Sequence, residues 1–541
     1  MTYNGINMHK NQETFPSFVI VLLSLIMILS IVSRFSFVIT VQSAVFLMLT
    51  ALVLFALNNY KFEIKGHFIS SLFLVLAAGL SYVNADYQVN VRNNFMALSS
   101  AVMAGFAVTF LTLDLRKKIF IVPVFIGLWL SMIVVSRFIS APYDFFSDNL
   151  SFYEGMALNV NVIAGFLILV YPILFLLIKD GDKKISRVYA VMAFMFLIAI
   201  FITKARIAIV ASLIITLIFL FENRKKLYAK MLIGFITALI LSAIIYVSVL
   251  KYGNGNSITE RLVWWQTAWI IFKEHMLFGA GIGNFSVLFK AYRPELVLNT
   301  LYAHNIFMQF LADIGIIGTG AFIYMMFVFY KQALYGLKQA ENKYFYKVIL
   351  ISVSSFLFVN ICDYSFFVPA NMLVFFVICF SVFFQKTEKL QKERMNDYLI
   401  AAVFLGIVFF AGKPAVADRY YKSGIDFSVS KQYKFAVKSF ENAVKYDSKN
   451  PEYYYQLANS YFALFDADRQ NGGEYAQKAI LYTAKAADLY RSSSQLKASL
   501  ASMYWILGDK ENALKYIKDA KKSDKFNYYI DEQMQKIQNM Q

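Results

Sequence analysis

Apolar stretches close to 20 residues long recur through the chain, at 17–33, 37–57, 95–113 and 231–250 among others. Each can cross a hydrocarbon core of about 30 Å, and about thirteen are legible. Lipid offers backbone N–H and C=O groups no partner, so such segments must close their hydrogen bonds internally, as helices. Composition agrees: 59% of the 541 residues are apolar and 16% charged, whereas about a quarter of a soluble globular chain is charged. The expected fold is all-α, with residues 1–412 forming a polytopic membrane domain of about 12–13 transmembrane helices. Residues 413–541 read as a soluble helical-repeat domain. The first stretch lacks a small-residue cleavage site and leads straight into further spans, so it reads as a retained anchor. Cys362 and Cys379 lie apart in apolar segments, as two buried thiols rather than a disulfide or metal pair.

A net charge of +18 would suit nucleic acid if it were clustered on a binding face. Its distribution instead fits membrane orientation. Loops after the even-numbered spans hold Lys61 and Lys65, Arg116 to Lys118, Lys179 to Arg187, Arg224 to Lys230, Lys331 to Lys347 and Lys386 to Arg394. The intervening short loops offer only Arg34, Arg92, Arg137, Lys204 and Arg206. The basic set belongs in the cytoplasm. Thirteen crossings from an inside N-terminus then place the long loop at 251–300 and the C-terminal domain on the outer side. Span thirteen, at 398–410, is short, and without it the C-terminal domain would return to the cytoplasm.

From Ala417 the apolar pattern takes the two-helix rhythm of a 34-residue tetratricopeptide repeat, with Gly424, Phe427, Ala436, Phe440 and Ala443 at packing positions. A second match starts at Ser494, with Ala501, Tyr504, Gly508, Ala513, Ile517 and Ala520. Between them, 451–493 reads as a third unit stretched by Asn471-Gly472-Gly473 and keeping Ala458 and Tyr461. Small residues at these offsets let paired helices approach as a short solenoid. A generic helical bundle is the alternative.

Polar residues beside membrane spans are costly and so mark candidate sites. One is Lys204-Ala205-Arg206, a tight turn between apolar segments, where the bland alternative is a snorkelling pair. The second runs from Glu260 and Arg261 through Trp264, Trp265 and Trp269 to the glycine-rich Gly279-Ala280-Gly281-Ile282-Gly283; its alternative is an amphipathic helix lying on the membrane. Those glycines permit a tight turn and close approach of backbone to a ligand. The third is His304-Asn305, with Gln309 and Asp313 at helical spacing, where a satisfied interfacial histidine is the alternative. The charge count puts Arg206, Arg261 and His304 on one side of the membrane. Arginine's planar fork suits a diphosphate, and histidine can take a proton from an attacking hydroxyl. No His, Cys and carboxylate spacing suits a metal.

These residues resemble the O-antigen ligase superfamily of surface-polysaccharide ligases, repeat-unit polymerases and protein O-oligosaccharyltransferases. The resemblance runs from Asn159 to Phe322 and rests on Asn159-Val160-Asn161, Lys204-Ala205-Arg206, Arg261 to Phe285, and His304-Asn305 to Gly318. It departs at Lys204, where serine is common, at Met276, where proline often stands, and at Asp313, where glutamate is usual. The resemblance implies a metal-independent glycosyltransferase without cofactor. Such an enzyme would move a glycan from an undecaprenyl-diphosphate-linked donor to an acceptor hydroxyl, on the outer face of a bacterial cytoplasmic membrane. Arg206 and Arg261 would hold the diphosphate, and His304 would activate or position the acceptor. Lys204, Asn159, Asn161, Trp265, Asn305 and Asp313 are expected to line the substrate site, although helix capping explains Asn159 and Asn161 equally well.

The acceptor stays open among a second lipid-linked glycan, a lipid or wall polymer, and a protein hydroxyl. A repeat domain on the outer side favours a protein partner or acceptor. From another class, a transporter would show broken helices in two related halves, which the sequence lacks. A membrane scaffold would not need Arg206, Arg261 and His304 on one face.

Overall fold

The computed structural model describes residues 3–32, 39–60, 63, 65–143, 159–221, 256–339, 341–385 and 397–539. Among them every extended regular element is a helix. Seven helices are long and apolar enough to cross a membrane: Thr40–Asn59, Gly66–Asn84, Leu113–Ser140, Val160–Asp180, Lys183–Ile202, Ile306–Lys338 and Ile400–Val429. Phe15–Ser30, Arg206–Phe221 and Pro369–Phe380 are apolar but shorter. Helices Gln88–Val108 and Lys343–Val359 pack among them. Each expected span thus has its helix except the ninth, at 231–250, which lies outside the described residues.

The bundle has two distinguishable ends. At one, Arg116 is fully buried and donates to the carbonyls of Leu111, Thr109 and Ser381. Nearby, Lys65 donates to the Phe384 carbonyl and Lys117 pairs with Asp180 at 2.7 Å. Lys179 lies 3.7 Å over the ring of Tyr344. The loops after the second, fourth, sixth, tenth and twelfth spans therefore gather at one end, as the charge count requires. The other end is held by Ile306 N–H on the Asn360 carbonyl at 2.9 Å, Asn371 on the Val162 carbonyl at 3.3 Å, and Ile282 N–H on the Ser81 hydroxyl at 3.0 Å.

The thirteenth span belongs to a longer helix than its apolar stretch. Residues 398–410 are part of a single helix, Asp397–Val429, which packs on helix Ile39–Asn59 and then on Tyr433–Tyr446. A 33-residue helix extends about 50 Å at 1.5 Å per residue, enough to cross a bilayer and continue. The boundary at 412 falls inside it, so the two domains share an element. Its second half is the first helix of the repeats, which continue as Pro451–Ala467 with Gly473–Leu489, then Ser494–Ile506 with Lys510–Ser523, and close with Tyr528–Gln538. Ala417, Ala436, Phe440, Ala443, Ala458, Ala501, Ala513, Ile517 and Ala520 are all fully buried. The inserted glycines sit where the turn meets helix Gly473–Leu489. Of the two cysteines, Cys379 is buried and Cys362 is half-buried.

The repeat domain rests on the end of the bundle opposite Arg116. Arg92 pairs with Asp447 at 2.8 Å, and Arg293 with Asp524 at 2.8 Å. The Ser492 amide donates to Asp86 at 3.0 Å, and Tyr87 stacks on Tyr490 at 4.9 Å.

Candidate active site

Helix Asn256–Glu274 lies within the region read as the long outer loop. Val263, Trp264, Thr267, Ala268, Ile271 and Phe272 are buried, and the helix packs on Phe285–Tyr292 and Ile306–Lys338. It is therefore built into the protein rather than lying alone on a membrane surface. Burying Trp264 fixes Arg261 one turn earlier, because residues three apart share a helix face. Trp264 also donates to the Leu298 carbonyl at 3.3 Å and packs against the His304 imidazole at 4.5 Å between centroids.

The opposite wall comes from the turn between helices Lys343–Val359 and Pro369–Phe380. Tyr364 meets His304 edge-on at 4.7 Å and stacks on Tyr302 at 4.9 Å. His304 has φ of 52°, a left-handed conformation uncommon outside glycine and often found where geometry is imposed by function. Lys204, at φ 56°, shares it.

Burial and the nearby Arg261 charge pull the His304 imidazole down to about 3, so it is neutral across physiological pH. Asp363 lies in the same field. Burial raises its carboxyl to about 6, although the Tyr364 amide and the Arg261 charge favour the ionised form. Four buried polar atoms here lack a hydrogen-bond partner among the described residues: His304 Nδ1, Arg261 Nε, Trp265 Nε1 and Asp363 Oδ1. Buried polar groups are normally satisfied. A cluster of unsatisfied donors and acceptors is what a polar ligand would complete.

Asp363 carries a testable consequence. Its folded carboxyl holds its proton up to about pH 6, against 3.8 for an ordinary aspartate. The folded state therefore binds more protons in that window, and stability is lost as pH rises through it. Asp363→Asn should raise thermal stability at pH 8, by on the order of 3 kcal/mol, and the gain should vanish near pH 4. Thermal unfolding of the detergent-solubilised protein at both pH values checks this.

Several expected substrate residues make structural contacts. Both carboxylate oxygens of Asp313 are occupied, accepting from Gly283 N–H at 2.9 Å, Phe285 N–H at 3.0 Å and Gln309 Nε2 at 2.8 Å. Asp313 fastens the glycine-rich turn to helix Ile306–Lys338. The glycines are likewise close to protein rather than open to a ligand. A Cβ at Gly279, at φ 72°, would lie 2.3 Å from the Asp313 backbone, and one at Gly315, at φ 65°, 2.4 Å from the Leu277 carbonyl. Asn305 caps that helix through Phe307 and Met308 N–H. Asn159 caps Val160–Asp180 through the Asn161 amide at 2.9 Å.

Arg206 opens helix Arg206–Phe221 and is exposed, while Lys204 is half-buried in the preceding turn. Helix Lys183–Ile202 packs on Val160–Asp180, the Lys183 and Asp180 ends being joined by a short turn. That arrangement puts 203–206 at the Asn159 end of the bundle, the end that carries Ser365 and Asn371 and hence Tyr364. The structure thus joins Arg261, His304 and Asp363 in one cluster, with Trp265 one turn from Arg261 on the same helix and Arg206 at the same end. The sequence reading missed Asp363, Tyr364, Tyr302 and the packing role of Trp264. A carboxylate between two apolar segments was the available signal for Asp363.

Residues 190–323 match the family model described as O-Antigen ligase. The matched segment holds Arg206, Arg261, His304 and Asp313. No curated protein matches the chain. Among solved structures, the first tetratricopeptide domain of Spaghetti (RPAP3) bound to an HSP90 peptide is 18% identical, covers 23% of this chain and 92% of its own, and has a TM-score of 0.21. Yeast Tom70 is 15% identical, covers 76% of this chain and 94% of its own, and has a TM-score of 0.14. The assignment of the repeats rests on their own packing. The chain is thus a multi-pass helical membrane protein with an O-antigen ligase domain at residues 190–323, of the glycan-transferring ligase and polymerase type, and a C-terminal domain of tetratricopeptide-type repeats.

Proposed function

We propose that the chain transfers a glycan from an undecaprenyl-diphosphate-linked donor to an acceptor hydroxyl, without a metal, on the outer face of a bacterial cytoplasmic membrane. The observation that carries the reading is the group of buried, unsatisfied polar atoms on Arg261, His304 and Asp363, of which Arg261 and His304 lie inside the matched segment. Arg261 and Arg206 hold the diphosphate as it leaves, their fixed cations offsetting the charge that develops on it. The acceptor oxygen attacks the anomeric carbon, the bond from that carbon to the diphosphate oxygen breaks, and the acceptor proton passes to His304.

Burial explains why His304 waits for substrate. Before a donor binds, the imidazole is held near 3 by burial and by Arg261, which makes it a weak base. A diphosphate paired with Arg261 brings negative charge beside the ring and raises its proton affinity. Basicity is then supplied by the donor itself.

The test is reconstitution in liposomes with chelator, an undecaprenyl-diphosphate-linked glycan, and each acceptor class in turn. New glycosidic linkage with release of undecaprenyl diphosphate is expected with one of them, and an untouched donor in all three would sink the proposal. Sidedness is read separately with single cysteines at Lys431 and Lys183. An impermeant maleimide should label position 431 in intact cells and position 183 only after lysis.

A further inference from the structure

Where the membrane bundle meets the repeat domain, a cavity of 630 Å³ opens between the start of helix Gln88–Val108, the middle of Asp397–Val429 and the turn after Tyr446. One wall is apolar, formed by Phe95, Phe409 and Phe410. Phe409 is 63% and Phe410 51% exposed on a helix long and apolar enough to cross a membrane, so this wall can open toward lipid. The other wall carries Arg92, Lys413 and Lys449.

Arg92 shows that the polar wall is incomplete. Its side chain is 11% exposed, and Nη1 pairs with Asp447 at 2.8 Å. Its Nε and Nη2 are buried with no hydrogen-bond partner among the described residues. A guanidinium uses two donors together on phosphate oxygens. Asp447 offsets one of the three cations, so the wall keeps a net positive charge. Cations above an apolar wall at the membrane boundary fit an anionic headgroup with its acyl chain directed into the bilayer.

We infer that this cavity binds an anionic phospholipid of the surrounding leaflet, its phosphate on Arg92, Lys413 and Lys449 and its chain along Phe409 and Phe410. The lipid would sit across the junction and bind the repeat domain to the membrane bundle. It shares no residue with the cluster around His304, so the inference stands apart from the proposed transfer reaction.

The test is native mass spectrometry of the full chain in detergent, titrated with phosphatidylglycerol and, separately, with phosphatidylcholine. Phosphatidylglycerol should bind the native protein at least about tenfold more tightly than a Lys413→Ser, Lys449→Ser variant, with phosphatidylcholine weak in both. Both substitutions leave the Arg92 and Asp447 pair intact, so docking need not fail. As a second readout, hydrogen exchange at 446–450 should slow when phosphatidylglycerol is added. Equal affinity in the two proteins, or equal affinity for the two lipids, would overturn the inference. So would displacement of phosphatidylglycerol by one equivalent of undecaprenyl phosphate, which would assign the cavity to the lipid-linked donor.

Discussion

Replacing Arg261 or His304 by alanine should lower glycan transfer at least about 100-fold, the scale seen when one preorganised electrostatic donor or one general base is removed. The two residues fail differently. Without Arg261 the leaving diphosphate loses its nearest fixed cation, and Arg261→Lys should recover only part of the rate because a point charge cannot replace the two-pronged contact. Without His304 the acceptor proton has no carrier. Alanine at position 304 also inherits φ of 52°, a conformation unfavourable to most residues, so a loss could come from backbone strain alone. His304→Asn separates the causes, since asparagine tolerates the left-handed region but is no base at neutral pH. Transfer by the Asn variant should stay at the Ala level while its thermal unfolding matches the native protein. Membrane insertion should be unchanged in all of them. Full activity in both alanine variants would remove these residues from the mechanism.

How much of this was legible in the sequence depends on how local each signal is. Span length, hydropathy and loop charge are properties of short segments, and the helices follow them. The small residues of the repeats are likewise read at fixed offsets, and the alanines named are buried. Arg261 and His304 were legible as polar residues in costly places. What was not legible depends on partners far along the chain. Asp313 was legible beside Gln309 at helical spacing, but its other two donors, the amides of Gly283 and Phe285, lie far back along the chain. The glycine-rich turn suggested ligand approach, whereas the close neighbours are the Asp313 backbone at Gly279 and the Val91 and Asn94 side chains at Gly281 and Gly283. The weak thirteenth span looked short because polar residues resume after 412. In the structure the same helix continues into the repeats. Arg92 stood out as an exception to the charge rule, and the exception is resolved by Asp447 in the other domain.

Breaking the Arg293 and Asp524 pair should loosen the repeat domain from the membrane bundle by about 3–5 kcal/mol, because removing one partner leaves the other charge buried and uncompensated. Both side chains are 4% exposed and lie 2.8 Å apart. Arg293 also donates to the Val297 carbonyl and to Asn299, each at 3.2 Å, so it ties the segment after helix Phe285–Tyr292 to the docked domain. Limited proteolysis should therefore cut near 524–527 and near 293–299 in Arg293→Ala, and near the first of these in Asp524→Ala, where the native protein resists. The double variant Arg293→Met, Asp524→Leu should regain much of the resistance, since an apolar pair carries no desolvation penalty. The effect should also reach the active site. The segment bearing Asp86 and Arg92 contacts the repeat domain on one side, and on the other its Asn84 and Asn90 hold the carbonyls of Gly279 and Gly283 at 3.1 and 3.2 Å. That turn is fixed to Asp313, nine residues after His304. Undocking should thus cost transfer activity even though the ring contacts of His304 among the described residues are with Trp264 and Tyr364, and the apolar double variant should restore it. Unchanged protease resistance in both single variants would show that docking is held elsewhere.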